Sequence, residues 1–472
     1  MKGRVKKSMM KRMYKSKHLL GLFFLCMGMA CITNSVQVSA KKLTGKAGDN
    51  ITWKIEKGVL TLSGKGKMKN CGHDKVAWEC LEGEGIPSST KCGNRDYTYG
   101  EYYYGYQKYY SDIEEVIVEE GITEIGAHAF DGVDLKKITI ASSVKTIGHC
   151  AFKETYLEQI IIPDSVTFIG ESAFESCYYL KSVQISKNIK EIPATAFMQC
   201  FSLKEINIPK NVRRIGKAAF RDCLWLWKVN YAPDSKLKEI GTLAFDLCDI
   251  EKMMIPAGVE HIHSEAINSS YEIIADKNNK KFLSENGVLF SKDKKTLVCY
   301  PNKKRESAYQ IPKGVKIIGE SAFSKNEYLE KLIMPDTVTT VKKYACQAAD
   351  CLKTVRFSKK LKKIEKGAFA CGLTSLKLPN SLKYIGEEAF NCSNLAKIVI
   401  PKNVNKIGKA AFSKANYVKR MIVKTKKLKK KMDFLHFEKG DVREKIVVLP
   451  KSKKKSYKKL TPKYHKVKYI YR

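Results

Sequence analysis

The sequence lacks the short motifs that mark the common enzyme classes. It contains no G-x-S-x-G turn, no HExxH pair, no glycine-rich phosphate loop and no Walker pattern. Histidine is scarce, with eight residues in 472. His261 and His263 lie close together, and we interpret them as part of a partly exposed turn rather than as metal ligands. We therefore predict no catalytic residue, no cofactor and no metal site.

The sequence also has few acidic residues relative to basic ones and few long apolar runs. The chain has 48 Asp+Glu against 87 Lys+Arg, which gives a net charge of +39. Beyond the N-terminus, no run of about 18 apolar residues could span a membrane as a helix. An L-P-x-T-G box is missing, so covalent anchoring to a cell wall by that route is not expected. With 44% hydrophobic residues, the composition is nevertheless that of a folded protein.

Residues 1–40 have the layout of an export signal. Eight Lys and Arg residues precede an apolar run over residues 19–32, and small residues then lead to Ala40. Val38 and Ala40 fit the small-residue rule for cleavage, so we predict a signal peptide over 1–40. Two alternatives stay open, a retained anchor helix and a lipoprotein-type cut before Cys31. Cleavage after Ala40 would leave a net charge of 39 − 8 = +31.

The phrase Ile-Gly-x-x-Ala-Phe recurs along most of the chain. Its copies, including degenerate ones, end at positions 21 to 25 residues apart, except for one gap of 56 residues. A fixed period of this length is typical of a solenoid, in which each repeat buries its core only against its neighbours. We predict that the repeated phenylalanines form the structural core. They are Phe130, Phe152, Phe174, Phe197, Phe220, Phe245, Phe323, Phe369, Phe390 and Phe412.

Residues 203–223 illustrate a single unit. Apolar residues alternate with polar ones from Leu203 to Ile208, which predicts a short strand. Pro209 ends the strand because proline cannot donate to a sheet ladder. Gly216 permits a tight turn or close packing, and the following Ala-Phe pair fills the interior.

The full pattern L-x-x-I-x-I-P-x-x-V-x-x-I-G-x-x-A-F-x-x-C resembles the repeat of BspA-like leucine-rich-repeat proteins. The resemblance covers about residues 113–423. It implies a leucine-rich-repeat solenoid of about 12–13 repeats of 21–25 residues, with a curved parallel β-sheet on one face. Short turns or helical segments would connect the strands. It also implies a secreted or surface protein that adheres to host matrix proteins or to other bacteria.

The domain organisation follows from these boundaries. We predict an N-terminal β capping module over 41–112, the repeat array over 113–423 and a basic C-terminal cap or tail over 424–472. Residues 45–68 read as a hairpin of the capping module. The long gap in the repeat holds an inserted segment over 271–312, in which residues 286–301 read as a small hairpin. Residues 97–110 are rich in tyrosine and are either an adhesive patch or a loop that covers the first repeats.

Cysteines recur at one position of the repeat. Each follows its phenylalanine by two or three residues: Cys177, Cys200, Cys223, Cys248, Cys371 and Cys392. We interpret them as small buried apolar residues. Bridges between neighbouring repeats are the alternative, and metal binding is disfavoured because no C-x-x-C occurs. A disulfide within the group Cys71, Cys80 and Cys92 is also considered.

The outward residues of the predicted strand face are the candidate ligand-binding residues, because solenoids present long surfaces with one free residue per repeat. They are Ile117, Thr139, Ile161, Gln184, Asn207, Asn230, Met254, Ile333, Arg356, Lys377, Val399 and Ile422. The expected partner is an extracellular protein or glycan. The sequence does not identify it further.

The C-terminal end is strongly basic. Residues 419–472 hold 21 Lys+Arg and four Asp+Glu, a net of 21 − 4 = +17. This segment could bind an anionic cell-wall polymer, or it could be a solvated capping segment. Export and the absence of a nucleic-acid-binding signature argue against a nucleic-acid partner.

Together these features predict a secreted or surface-associated, non-enzymatic binding or adhesion protein. Two alternatives remain, a wall protein held by its lysine-rich tail and an enzyme with a site hidden in the insertion or the N-terminal module.

Overall fold

A computed structural model describes residues 43–71, 82–84, 113–391, 395–413, 418–429, 445–460 and 467–472. These residues belong to one compact unit, Leu43–Arg472. The predicted signal peptide over 1–40 and the tyrosine-rich segment over 97–110 lie outside the described residues. Cys80, Cys92 and Cys392 also lie outside them, so the disulfide considered for the first two is not addressed.

Short β-strands dominate the described chain. The N-terminal module contains β1 (Leu43–Gly48), β2 (Ile51–Glu56), β3 (Val59–Gly64), β4 (Gly66–Lys67) and β5 (Glu82–Glu84). The first part of the array contains β6 (Glu115–Val118), β7 (Ile122–Ile125), β8 (Lys137–Ile140), β9 (Thr146–Ile147), β10 (Gln159–Ile161), β11 (Phe168–Ile169), β12 (Ser182–Gln184), β13 (Glu191–Ile192), β14 (Glu205–Ile208), β15 (Arg214–Ile215), β16 (Lys228–Tyr231), β17 (Glu239–Ile240), β18 (Ile250–Ile255), β19 (His261–Ile262) and β20 (Ser270–Ala275).

The strands continue through the insertion to the C-terminal cap. The insertion contains β21 (Phe282–Glu285), β22 (Val288–Ser291) and β23 (Thr296–Cys299). The second part of the array contains β24 (Ala308–Gln310), β25 (Ile317–Ile318), β26 (Lys331–Ile333), β27 (Thr340–Val341), β28 (Thr354–Arg356), β29 (Lys363–Ile364), β30 (Tyr384–Ile385), β31 (Lys397–Ile400), β32 (Lys406–Ile407) and β33 (Arg420–Val423). The cap contains β34 (Lys445–Leu449), a 3-10 turn (Lys451–Lys453), helix α1 (Lys454–Leu460) and β35 (Val467–Tyr471).

The N-terminal module is an antiparallel meander that leads into the array. β1 pairs with β2, and β2 pairs with β3. The residues predicted as a hairpin therefore belong to a larger sheet, to which β5 adds at the edge of β1. Pairing then becomes parallel, because β3 joins β6 and β4 joins β7. Trp53 lies beneath this sheet and is 2% exposed.

Each repeat forms a rung with strands on two sides. A longer strand such as β14 pairs in parallel with β16 of the next rung, and a two-residue strand such as β15 pairs in parallel with β17. We call these the long-strand and short-strand faces. The parallel solenoid predicted from the repeat is confirmed. The short-strand face is additional, since strands of two residues show no hydrophobic periodicity.

Stacked phenylalanines occupy the centre of the rungs. From Phe130 to Phe245, consecutive rings stack with centroids 5.2 to 5.4 Å apart. All ten phenylalanines of the predicted core are exposed by 1% or less. The ring spacing is close to the spacing of about 4.8 Å between neighbouring strands, so one ring fits each rung.

Two positions of the repeat hold left-handed backbone. The first is the residue before the Ala-Phe pair, with φ of 51 to 60°. Its members are His128, Cys150, Ser172, Thr195, Ala218, Leu243, Glu265, Ser321, Tyr344, Gly367, Glu388 and Ala410. The second is the residue two places after the phenylalanine, as at Asp222 and Leu247. L-residues rarely adopt this conformation, so the rung imposes it at these positions.

The insertion marks a seam between two parts of the core. β21, β22 and β23 form an antiparallel sheet, and β23 then pairs in parallel with β25. The hairpin interpreted over 286–301 corresponds to β22 and β23. Two clusters of buried residues meet here, the first reaching Cys299 and the second beginning at Val288.

In its described parts, the basic C-terminal segment is a folded cap. β34 pairs in parallel with β33, and β35 pairs with β34. Helix α1 buries Tyr457, whose hydroxyl donates to the carbonyl of Thr425 at 3.0 Å and accepts from the amide of Leu428 at 3.1 Å.

Candidate binding surface

The predicted ligand-binding residues lie on the long-strand face, except for Lys377, which lies between β29 and β30 where no strand forms. Seven of them are exposed: Thr139, Ile161, Gln184, Asn207, Met254, Arg356 and Lys377. Ile117, Asn230, Ile333, Val399 and Ile422 are half-buried. The Asn230 side-chain amide donates to the Asn207 side-chain oxygen at 2.9 Å across neighbouring strands. Ligand contact by these residues stays a prediction.

An aromatic strip lies beside this face. It consists of Tyr156, Tyr178, Tyr179, Phe201, Trp225 and Trp227, in the loops that connect each core phenylalanine to the next long strand. The Tyr156 and Tyr179 rings meet edge to face at 5.3 Å, and those of Tyr178 and Phe201 stack at 5.0 Å. These contacts link the rungs of Phe152, Phe174 and Phe197, and the two tryptophans follow in the next rung.

Much of the aromatic strip faces solvent. Tyr156, Tyr179, Trp225 and Trp227 are exposed by 38, 46, 62 and 41%. Exposed large apolar side chains that cluster in this way mark interaction sites. Sequence reasoning missed the strip, although aromatics four or five residues after the core phenylalanine in successive repeats were a usable signal.

Four of the cysteines that recur after the core phenylalanines are buried, and their thiols do not reach solvent. The Sγ atoms of Cys177, Cys200, Cys223 and Cys248 donate to carbonyls of Phe152, Phe174, Phe197 and Phe220 at 3.0, 3.3, 3.1 and 3.2 Å. These four are free thiols with no exposed surface. Burial raises the pKa of the Cys177 thiol to about 12. The interpretation as small buried residues is confirmed for these four, and the alternative of bridges between them is wrong.

A cleft of about 460 Å³ opens at the seam and is lined in part by His263, Glu265 and Glu320. His263 Nε2 lies 3.0 Å from Glu239 Oε1. Lys325 Nζ, beside the cleft, lies 2.7 Å from Glu265 Oε2. Burial disfavours its charge, but the bonds to Glu265 and Asp246 outweigh this and raise the pKa of Lys325. The Lys325 pair links the two sides of the seam, whereas the His263 pair joins neighbouring rungs of the first part of the array.

Charge is distributed unevenly along the array and the C-terminal cap. Residues 113–270 hold 17 Lys+Arg and 22 Asp+Glu, a net of 17 − 22 = −5. Residues 271–472 hold 50 Lys+Arg and 17 Asp+Glu, a net of 50 − 17 = +33. Residues 451–460 contain six lysines and no acid. Within the described residues, Lys454 and Lys455 are exposed and make no ion pair.

The stacked rungs and parallel sheets define a leucine-rich-repeat solenoid. The family described as "BspA type Leucine rich repeat region" matches residues 103–227, 190–286 and 298–427, in six copies. These segments cover more than half of the sequence, and the chain belongs to this family. Within the described residues, no helix is long and apolar enough to cross a membrane.

The chain is also similar to solved structures of bacterial proteins. A leucine rich cell surface protein from Faecalibacterium prausnitzii aligns over 89% of this chain and 98% of its own, with a TM-score of 0.50 and 19% identity. A leucine-rich repeat protein from Bacteroides ovatus aligns over 89% and 98%, with a TM-score of 0.41 and 22% identity. The pneumococcal vaccine antigen PcpA aligns over 92% and 99%, with a TM-score of 0.46 and 19% identity. A comparison with curated proteins found no significant match.

Proposed function

We propose that this chain is an exported, non-enzymatic adhesion protein that binds an extracellular protein or glycan. The aromatic strip carries the proposal. Tyrosine and tryptophan offer large amphipathic contact areas with few rotatable bonds, so they bind partners at a low entropic cost. Family membership and the signal-like layout of residues 1–40 support export. The similar Faecalibacterium protein is described as a cell surface protein, which also fits.

The long-strand face extends the proposed binding surface. Ile161 in β10 is 64% exposed, and Met254 in β18 is 39% exposed. Polar residues such as Gln184 and Asn207 lie between them and can donate or accept hydrogen bonds. A mixed apolar and amide surface of this kind suits a neutral protein or glycan better than a highly charged ligand.

Binding of the purified protein to immobilised extracellular-matrix proteins and to a glycan array tests this proposal. We expect Trp225→Ala combined with Tyr179→Ala to weaken binding at least tenfold, as truncation of central aromatic anchors does. Phe168→Ala is the matched control, because Phe168 is 57% exposed but lies in β11 on the short-strand face. The proposal fails if the double variant binds as the wild type does, or if nothing in either panel is bound.

The basic cap favours a second candidate function, retention on an anionic cell-wall polymer. Six lysines lie within residues 451–460, and Tyr457 fixes helix α1 to the core. Such attraction is screened within about 8 Å at physiological salt, so retention should be weak above a few hundred millimolar salt.

Co-sedimentation with purified cell walls, before and after removal of their phosphate-rich polymer, tests the second candidate. We expect Lys451→Gln, Lys454→Gln and Lys455→Gln together to reduce retention. The same change at Lys181, Lys187 and Lys204, which are exposed in the first part of the array, should have little effect. Truncation is unsuitable, because it would remove β34 and β35 from the end of the core. Equal retention of both triple variants would exclude this function for the cap.

A further inference from the structure

A cluster of metal-ligating side chains lies on the first two rungs of the array, and the surfaces described above do not use it. His128 lies in the rung of Phe130, and His149 and Cys150 lie in the rung of Phe152. One ligand atom from each of the three lies within 4.8 Å of the others. The two imidazole rings meet edge to face with centroids 5.5 Å apart.

The repeat itself brings these residues together. His128 and Cys150 occupy the same left-handed position of neighbouring rungs, with φ of 56 and 52°. The amide of His128 donates to the carbonyl of His149 at 2.8 Å, which fixes the register between the rungs. His128 and Cys150 are 7 and 6% exposed, while His149 is exposed. Two candidate ligands are therefore held in place and the third can adjust.

A carboxylate completes the arrangement. Nδ1 of His128 lies 2.8 Å from Oδ2 of Asp131. When Nδ1 donates to this carboxylate, Nε2 is the acceptor nitrogen, the form in which a neutral imidazole binds a metal. A carboxylate behind a ligating histidine is the usual outer-shell arrangement at protein zinc sites, where it orients the ring and increases its basicity.

We propose that His128, His149 and Cys150 bind a zinc ion, with Asp131 positioning His128. Zinc prefers nitrogen and sulfur ligands at about 2.0–2.1 and 2.3 Å in a tetrahedral arrangement. That geometry separates ligand atoms by about 3.3–3.6 Å, so the cluster must contract by roughly 1 Å. The exposed His149 side chain can supply this movement. Binding releases the Cys150 thiol proton to solvent, and water can fill the fourth position because His149 is exposed. The ion would join the first two rungs next to the N-terminal module.

Titration of the full chain with zinc chloride by calorimetry, and with cobalt(II) by absorption, tests the proposal. We expect one tight zinc equivalent per chain and a thiolate-to-cobalt charge-transfer band. His149→Ala should weaken zinc binding at least tenfold, and Cys150→Ser should remove the band. Asp131→Asn should weaken binding by about 10- to 100-fold, as loss of an outer-shell partner does. His261→Ala and Cys351→Ser are matched controls with exposed side chains elsewhere, and both should bind as the wild type does.

Two results would overturn the zinc site. One is a wild-type chain that, after chelation and reloading, retains no zinc. The other is unchanged zinc affinity in His149→Ala, which would place any bound zinc on other residues. The His149→Ala variant tests the zinc site even if Cys150→Ser fails to fold, because His149 is on the surface. Zinc should also raise the melting temperature of the wild type by more than that of His149→Ala.

Discussion

At the scale of the residue, the left-handed positions show that the rung dictates backbone conformation against residue preference. Leu243, Thr195 and Tyr344 all adopt φ between 53 and 60° in place of glycine. Such a conformation costs an L-residue about 1–2 kcal/mol. The cost recurs in each rung, so the burial of the adjacent Ala-Phe pair must outweigh it. Glycine at an exposed position of this kind should therefore be tolerated or favoured.

Leu247→Gly should be more stable than Leu247→Ala. Leu247 has φ of 60° and is 43% exposed, and both changes remove the same partly buried side chain. Only glycine relieves the strain of about 1–2 kcal/mol, which exceeds its entropic penalty of about 0.5–1 kcal/mol, so the glycine variant should be the more stable by up to about 1 kcal/mol. At Lys204, an exposed position without positive φ, alanine should instead be more stable than glycine by about 0.5–1 kcal/mol. Urea unfolding of the four variants measures these differences, and a Leu247→Gly variant less stable than Leu247→Ala would contradict the account.

Phe220→Ala should be far more damaging than Cys223→Ala. The Phe220 ring stacks between those of Phe197 and Phe245, at 5.4 and 5.3 Å, and its loss leaves a cavity in a continuous column. We expect a cost of about 3–5 kcal/mol for this truncation. Cys223→Ala removes one small side chain and one weak bond to the Phe197 carbonyl, so it should cost clearly less. If urea unfolding shows the reverse order, the thiol contributes more to the stability of this rung than the ring does.

At the scale of the element, the glycine of Ile-Gly sets the distance between neighbouring rungs. A Cβ atom on Gly170 would lie 2.4 Å from the amide nitrogen of His149, and one on Gly216 would lie 2.5 Å from that of Ala194. These contacts are with backbone, which can move only if the rungs separate. At these two rungs, the close approach of the backbones therefore depends on the missing side chain.

Gly170→Ala should destabilise the array by about 1–3 kcal/mol, the range found for overpacked interiors. The neighbouring Glu171 is exposed, and Glu171→Ala should leave stability within about 0.5 kcal/mol of the wild type. Thermal unfolding of the two variants measures the difference. Equal stability would mean that the rungs shift apart easily at this point.

Most of the rungs could be predicted from the repeat, because the motif Ile-Gly-x-x-Ala-Phe identifies the core residues of each rung. The short-strand face was not predictable, since pairs such as Arg214 and Ile215 are too short to show alternation. The left-handed ladder was hidden because its residue types vary from rung to rung. By contrast, the proximity of His128 and Cys150 was predictable, because the two residues are 22 residues apart, which is the length of one repeat. The lysine-rich composition obscured β34 and β35, although their β-branched residues were visible.

At the scale of the whole molecule, the insertion divides one solenoid into two cores joined by polar contacts. The phenylalanine stack ends at Phe245 and an aromatic core resumes at Tyr300, which stacks on Phe323 at 5.1 Å. Across this interval, the Asn268 side-chain amide donates to the carbonyl of Ser321 at 2.9 Å. Lys325 Nζ donates to both carboxylate oxygens of Asp246 at 2.9 and 3.0 Å. Solenoid stability is a sum of interfaces between neighbours, so this seam decides whether the halves unfold together.

Asp246→Asn should uncouple the unfolding of the two cores. Asp246 is 1% exposed and also lies 3.5 Å from Arg221 Nε, so the change leaves two cations, each more than a third exposed, facing a neutral amide. We expect a cost on the order of 2 kcal/mol at the seam, because both cations keep contact with water. Among the described residues, tryptophan occurs at Trp53, Trp225 and Trp227, so tryptophan fluorescence follows the first core, whereas far-UV circular dichroism follows both.

The two signals should give coincident urea transitions in the wild type and separated transitions in Asp246→Asn, because separation of probes marks the loss of two-state unfolding. Asp164→Asn is the matched control, since Asp164 pairs with Lys187 at 3.1 Å on the surface and within the first core. Its transitions should remain coincident. Coincident transitions in Asp246→Asn as well would mean that the apolar contacts around β22 and β23, and not the buried charges, hold the two cores together.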